Sequence, residues 1–417
     1  CWTPRPSRKN WSRNERFSRF VSKRRDVKRR ALLVVALVAL AGCGGHGSVP
    51  ALEPPQPDAT TPLGNSTEPA TEQAQQVEVT ELESTLGDVN ATAVWRRVGT
   101  VVGVDLPSSP PDVVVLTREP GVRYTPSQFR QSMGVEGYTT SSPLPSGRYR
   151  PSGTVVIKRT PDSTDRQVES LLAHEFAHAL QYERLVTEFP DGDALPEQTV
   201  VEGSAEYVEW RYAARYGSHD SEQWYKRVVP EWPSVGKLFQ AHYYLGAQWV
   251  RNHSDPEAPL ESTFENPPTT AEQVLHDLPP GSEAPRNLTV HGESGPTAQF
   301  DHASPERRGE AELRFLLEYG LSSARAERAA AGWGEDRWMR FANASADGYA
   351  WVVRWDDPSE ATEFRTLFAD YRANVSEPLA LRSVGDDTTV VLSGREAFVE
   401  NATVSGTEGN VTVTAGN

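Results

Sequence analysis

Residues 171–183 read LLAHEFAHALQYE, an apolar, alanine-rich stretch carrying two histidines four positions apart and a glutamate directly after the first. A buried helix has no use for such a cluster on one face unless the cluster meets something polar. Positions four apart on a helix lie one turn apart on the same face, so His174 and His178 can present their rings to one ion. Glu175 is rotated by about 100° from His174, which sets it beside that ion, where it can take a proton from bound water. Two ligands and a general base on one rigid helix are the mechanical content of HExxH. Zinc in such a site needs a third protein ligand and leaves a fourth position to water. The chain must therefore fold so that a second segment delivers a ligand to this helix face.

The candidate segment is VVEGSAEYVEW (200–210), on the next expected helix. Glu202 is the candidate third ligand. Gly203 follows it, and its missing side chain lets two helices or a substrate come close. Glu206, one turn later, is placed to accept a hydrogen bond from the free ring nitrogen of a ligand histidine, which would fix tautomer and ring orientation.

HEFAH followed by VEGSAEY resembles the gluzincin clan of zinc metallopeptidases, which carry HExxH on one helix and a Glu-Gly-x-Ala motif on the next. The resemblance covers residues 150–280 and implies an α+β fold: a small antiparallel sheet packed on the HExxH helix, then a helical subdomain. It implies one Zn2+ per chain held by His174, His178 and Glu202, with Glu175 as general base and Glu206 behind the ligands. GTVVIKR (153–159) is similar to the edge strand that binds substrate backbone in these enzymes. HYYLGAQWV (242–250) is similar to the Tyr-x-x-Gly helix of gluzincin aminopeptidases, which implies Tyr243, with Tyr244 as the alternative, as the oxyanion stabiliser. No Gly-x-Met-Glu-Asn exopeptidase signature occurs. The implied activity is that of a metalloendopeptidase cleaving a peptide or protein by metal-activated water. His276, in EQVLHDL, is a further acid candidate, although such a histidine more often packs. Two rival readings are a non-catalytic envelope protein that keeps the fold and a metal-dependent hydrolase of non-peptide substrates.

Charge narrows the partners. The chain carries −15 overall, while its first 42 residues hold twelve Lys and Arg against two Asp and Glu, so the remainder bears −25. Nucleic acid is excluded as a partner, because a phosphate backbone demands the opposite sign. Only Lys158, Lys226 and Lys237 lie beyond residue 43; an acidic surface so poor in lysine resembles proteins of salt-loving archaea. With only Cys1 and Cys43 present, neither a disulfide framework nor a cysteine zinc knuckle is available.

An export address stands near the start. KRRDVKRRALLVVALVALAGCGG (23–45) sets basic residues before an apolar run, Ala31 to Ala41, that is too short to span a bilayer but matches a signal core. LAGC, ending at Cys43, resembles a lipobox, and Arg29-Arg30 with the following apolar residues looks like a twin-arginine signal. The expectation is removal of residues 1–42 and a lipid anchor at Cys43 on the outer face of the membrane; residues before about 26 fit neither signal nor domain and suggest a translation start placed too early. Beyond residue 43 eight of ten asparagines stand in Asn-X-Ser/Thr: Asn65, Asn90, Asn252, Asn287, Asn343, Asn374, Asn401 and Asn410. Such sequons mark exposed loops of exported proteins.

Composition divides the rest. Residues 43–78 are rich in Pro, Thr, Gly and Glu and read as a disordered tether. A peptidase domain is expected over 79–330, a small strand-helix module over 331–380 whose core is Trp333, Trp338, Trp351 and Trp355, and a β-hairpin tail over 381–417.

Overall fold

A computed structural model describes residues 76–417, apart from 120, 143, 185–193, 230–233, 296–300, 344–345 and 417. The leader, Cys43, Asn65 and nearly all of the tether lie outside the described residues. The fold is mixed, with α and β elements in separate layers. Among the described residues no helix is long and apolar enough to cross a membrane.

The first unit builds a sheet from β1 (Val79–Glu81), β2 (Asp112–Thr117), β5 (Ser146–Arg150) and β6 (Thr154–Arg159), with α1 (Ala91–Val102) between the first two strands; β3 (Gly121–Tyr124), α2 (Gln128–Ser132) and β4 (Tyr138–Ser141) form an excursion before β5. The order is β1-β2-β6-β5. The antiparallel sheet expected here is instead mixed: β1 and β6 both run parallel to β2, and only β5 pairs antiparallel with β6. The reason lies in the connections. Only β5 and β6 are joined by a tight turn, whereas the other pairs are joined by crossovers long enough to bring the chain back parallel. GTVVIKR also changes place. As β6 it is an interior strand, and the edge is β5, SGRYR. An interior strand covered on both faces needs a nearly continuous apolar run, which TVVI supplies and SGRYR does not.

The helix α3 (Asp165–Arg184) packs on this sheet. Its start is a reciprocal cap, with the Gln167 N–H donating to Thr164 Oγ1 and the Thr164 N–H to Gln167 Oε1. Phe176 meets Trp95 of α1 edge-on, ring centres 5.2 Å apart. The helical layer continues with α4 (Ala194–Gln198), a π-helical turn (Thr199–Gly203), α5 (Ser204–Tyr216), α6 (Ser221–Val228), α7 (Ser234–His253), α8 (Pro259–Glu265) and α9 (Ala271–Leu275). The single helix expected through VVEGSAEYVEW is thus broken by one wide turn.

The C-terminal half comprises β7 (Thr289–Ser294), β8 (Asp301–His302), α10 (Gly309–Leu317), α11 (Ser323–Ala330), β9 (Trp333–Asn343), β10 (Ala346–Trp355), α12 (Pro358–Asn374), β11 (Leu379–Val384), β12 (Thr388–Gly394), α13 (Glu396–Asn401), β13 (Thr403–Thr407) and β14 (Asn410–Ala415). Trp333, Trp338, Trp351 and Trp355 are all buried in one core, as expected. The boundary drawn at 380 falls inside a sheet, because β11 and β12 join β10, β9 and β8 in the order β11-β12-β10-β9-β8. The reason is that β12 is buried along nearly its whole length, so it needs cover from both neighbours. The expected hairpins contain an unexpected helix, α13, and β14 pairs parallel with β7, upstream of the Trp-rich stretch. The excursion before β5 belongs to this core: Phe129 of α2 packs edge-on against Trp338 and Trp351, at 5.3 and 5.6 Å.

Candidate metal centre

His174 and His178 point the same way, their Nε2 atoms 3.1 Å apart. Glu202 arrives from the π turn, its Oε2 3.4 Å from His174 Nε2 and 3.3 Å from His178 Nε2. Ligands at about 2.0–2.1 Å from a tetrahedral zinc stand about 3.3–3.4 Å apart, so these three atoms fit the corners around one such ion. Two imidazole nitrogens facing each other across 3.1 Å, in a pocket where His174 is 2 % exposed, bring lone pairs together unless a cation or proton lies between them. The donor set, two nitrogens and one oxygen, suits zinc.

Local structure fixes each ligand. The wide turn Thr199–Gly203 sets Glu202 at the start of α5, with the Ser204 N–H reaching back to the Thr199 carbonyl. Its carbonyls gain side-chain donors: Ser204 Oγ donates to Val200 O, and Gln181 Nε2 to Val201 O at 2.8 Å. Gln181 also accepts at Oε1 from His178 Nδ1, 2.8 Å away, which leaves the Nε2 lone pair of His178 turned inward. Sequence reading missed Gln181, although its i+3 spacing from His178 placed it on the same face. Gly203 packs against the backbone of Gly246 in α7, the close helix approach that its missing side chain allows.

Behind His174 stand two carboxylates. Its Nδ1 lies 3.4 Å from Glu209 Oε2 and 3.6 Å from Glu206 Oε2, without a well-aligned hydrogen bond to either. Glu206 faces this nitrogen without the hydrogen bond expected of it, and the nearer oxygen is that of Glu209, which the sequence reading passed over. Glu206 is otherwise engaged, accepting at Oε1 from Trp210 Nε1 and Ser221 Oγ, while Glu209 accepts at Oε1 from Ser170 Oγ. Burial and the charge of Glu209 push Glu206 up to about 8. Burial acts on Glu209 in the same direction, but its contact with His174 prevails and holds it below the usual range.

Glu175 is 1 % exposed and lies against β5. It accepts a hydrogen bond from the Tyr149 N–H, and burial pushes its carboxyl up to about 7 against the pull of both histidines. A Cβ on Gly147 would stand 2.5 Å from Glu175 Oε1, so β5 can pass the base only because that residue is glycine. Tyr243 is buried with its ring centre 6.0 Å from that of His174. Tyr244 turns instead toward Tyr225 and Trp210. His276 is not brought to the site; its Nε2 lies 3.0 Å from Glu310. His242, which the sequence did not single out, lies against Tyr243 with ring centres 4.2 Å apart and the rings tilted by 39°, and burial pushes it down to about 4. Asn90, Asn252, Asn287, Asn374, Asn401 and Asn410 are exposed, and Asn343 ends β9.

A paired-histidine helix, a carboxylate from the wide turn before α5 and a buried acid beside them form a group that could hold a metal ion. Residues 146–238, from the first residue of β5 into α7, match the family described as Predicted Zn-dependent protease (DUF2268), which supports a zinc protease. Residues 298–417 match a Domain of unknown function (DUF8575). No curated protein and no solved structure matches the chain.

Proposed function

We propose that the chain is a zinc-dependent endopeptidase of gluzincin type, held on the outer face of a membrane by a lipid at Cys43. One zinc would be held by His174 Nε2, His178 Nε2 and Glu202. When bound, it supplies Lewis acidity toward a peptide carbonyl and lowers the pKa of a water beside it. Gln181 holds the His178 ring in the tautomer that leaves Nε2 free, and the Glu209 carboxylate faces the Nδ1 edge of His174. Glu175 takes the proton of the attacking water on its carboxylate and passes it to the leaving amine as the C–N bond breaks. Tyr243, its ring centre 6.0 Å from that of His174, would donate its O–H to the oxygen on which charge develops. The lipobox-like LAGC at Cys43 and the sequon-rich, acidic sequence support display outside the cell.

The observation that carries this reading is the triangle of His174, His178 and Glu202 atoms, 3.1 to 3.4 Å on a side, with Glu175 next to it. Chelation should abolish casein hydrolysis and zinc should restore it. Glu175→Gln should keep zinc and lose about a hundredfold to ten-thousandfold in turnover. If that variant cleaved casein as fast as the parent, Glu175 would not be the base.

A further inference from the structure

Each strand of the three-stranded sheet β13-β14-β7 opens on an Asn-X-Thr triplet. Thr289 of Asn287-Leu288-Thr289 is the first residue of β7, Thr403 of Asn401-Ala402-Thr403 is the first of β13, and Asn410 of Asn410-Val411-Thr412 is the first of β14. In all three the middle residue is buried and the asparagine is exposed. Extended backbone sends residues i and i+2 to the same side, so each acceptor amide and its hydroxyl stand together. On a helix the same two positions are about 200° apart. That is the situation of Asn90-Ala91-Thr92, which runs into α1, and of Asn252-His253-Ser254 at the end of α7.

The side chains divide in the same way. Asn90 Oδ1 accepts from the Ala93 N–H and caps α1, Asn252 Nδ2 donates to Asp277 Oδ2 at 2.7 Å, and Asn374 Nδ2 donates to the Gly320 carbonyl at 2.8 Å. Among the described residues, the side chains of Asn287, Asn401 and Asn410 make no hydrogen bond; Asn287 is held through its carbonyl, by Arg354 Nη1. No asparagine lies between Asn90 and Asn252, so β5, α3 and the wide turn carry no acceptor.

Sugar on this sheet would act at β13. Among the described residues this edge strand pairs with β14 alone, and four of its five residues are exposed. Its outer side presents unpaired N–H and C=O groups, a template for a strand of another copy. Edges are commonly blunted by charge or proline, and TVSGT has neither. Asn401 stands two residues before the strand and Asn410 pairs with Thr407 at its far end. One acceptor thus flanks each end of an edge about 17 Å long.

We propose, resting on the display outside the cell proposed above, that Asn287, Asn401 and Asn410 carry N-linked oligosaccharide, and that the sugars at Asn401 and Asn410 keep copies of the chain from pairing through β13. In the transfer, asparagine Nδ2 takes the anomeric carbon of an oligosaccharide from a lipid phosphate carrier. The C–N bond forms, the C–O bond to phosphate breaks, the amide loses one proton and the lipid phosphate leaves, with nothing oxidised or reduced.

The test uses the full chain, made in a salt-loving archaeon that N-glycosylates its surface proteins. Intact cells are treated with a membrane-impermeant label, and the recovered chain is digested for glycopeptide mass spectrometry. Sugar should sit on Asn287, Asn401 and Asn410 in most copies, while Asn90, Asn252 and Asn374 stay bare. Asn401→Gln combined with Asn410→Gln should keep its circular dichroism and elute at about twice the parent's mass or more, and adding Ser405→Lys, a charge on the edge, should reverse the association. A surface-labelled chain left bare at any of the three, or glycosylated instead at the helix-bound sequons, overturns the assignment and leaves the display and peptidase readings standing. A double variant in the same assembly state as its glycosylated parent overturns the role at the edge. A chain that takes no surface label overturns the display reading and this proposal together.

Discussion

Gly203 and Gly246 meet backbone to backbone: a Cβ built on Gly203 would stand 2.8 Å from Gly246 Cα and 2.7 Å from its carbonyl carbon. Backbone cannot swing aside as a side chain can, so any larger residue must push α7 away from the turn that carries Glu202. Gly203→Ala should cost about 1–3 kcal/mol of stability and weaken zinc binding at the same time. Denaturation midpoints and zinc titration on the same preparation check both effects, and an unchanged zinc affinity would show that the contact does not position Glu202.

The groups behind the histidines should matter nearly as much as the ligands. Gln181→Ala and Glu209→Gln should each weaken zinc binding by about 10- to 100-fold. Glu206→Gln should do less, because its Oε1 is committed to Trp210 and Ser221 and its other oxygen stands 3.6 Å from the ring. Competition with a chelating indicator ranks the three variants.

Zinc affinity should rise with pH. Burial alone would lower both histidines, but the carboxylates override it: Glu202 and Glu209 raise His174 well above the ordinary value of 6.5, and Glu202 raises His178 above it. The metal must displace these protons, so affinity should climb about tenfold per pH unit for each proton released. The metal-free chain should show the linked effect. A raised histidine pKa stabilises the fold below the ordinary value, and that contribution is lost as pH rises through the folded value. Titrations at about pH 6 and about pH 8, either side of the ordinary histidine pKa, measure the slope directly.

Arg130 and Glu312 tie α2 to α10 through two hydrogen bonds of 2.8 Å each. Burial pushes Glu312 up, but the Arg130 guanidinium outweighs it and leaves the carboxyl below its ordinary value of 4.5. A depressed carboxylate stabilises the fold above that value and loses the contribution as pH falls through the folded pKa. Arg130→Ala should cost about 3 kcal/mol, the scale for orphaning one member of a buried pair. The variant should also flatten the acid limb of stability plotted against pH, as followed by circular dichroism.

The candidate metal centre was legible where it rests on helical spacing. Four-residue intervals placed His174, His178 and Glu206, and VVEGSAEYVEW, expected as the next helix, offered Glu202. Gln181 and Glu209 obey the same periodicity and were there to be read. The wide turn at Thr199–Gly203 was not legible, because nothing in TVVEG distinguishes a π register from an α register until Gln181 and Ser204 arrive to bond its carbonyls. Strand existence was clear for TVVIKR, but strand order was not. Sheet neighbours depend on connections that cross the molecule, and TVVI reads as a strand at the edge or in the centre. For the same reason β12, expected in a detached tail, lies at the heart of a five-stranded sheet. The short helix α13 was lost among alternating residues that favour strands on either side.

The claim on which everything else rests is that two imidazoles and one carboxylate share a single zinc. X-ray absorption at the zinc edge of the loaded chain tests it. The account predicts four nitrogen or oxygen neighbours at about 2.0–2.2 Å, with the multiple-scattering signature of two imidazoles. That signature should fall to one imidazole in His178→Ala and remain at two in Glu175→Gln. A six-coordinate shell of oxygens, or a spectrum unchanged by His178→Ala, would contradict it.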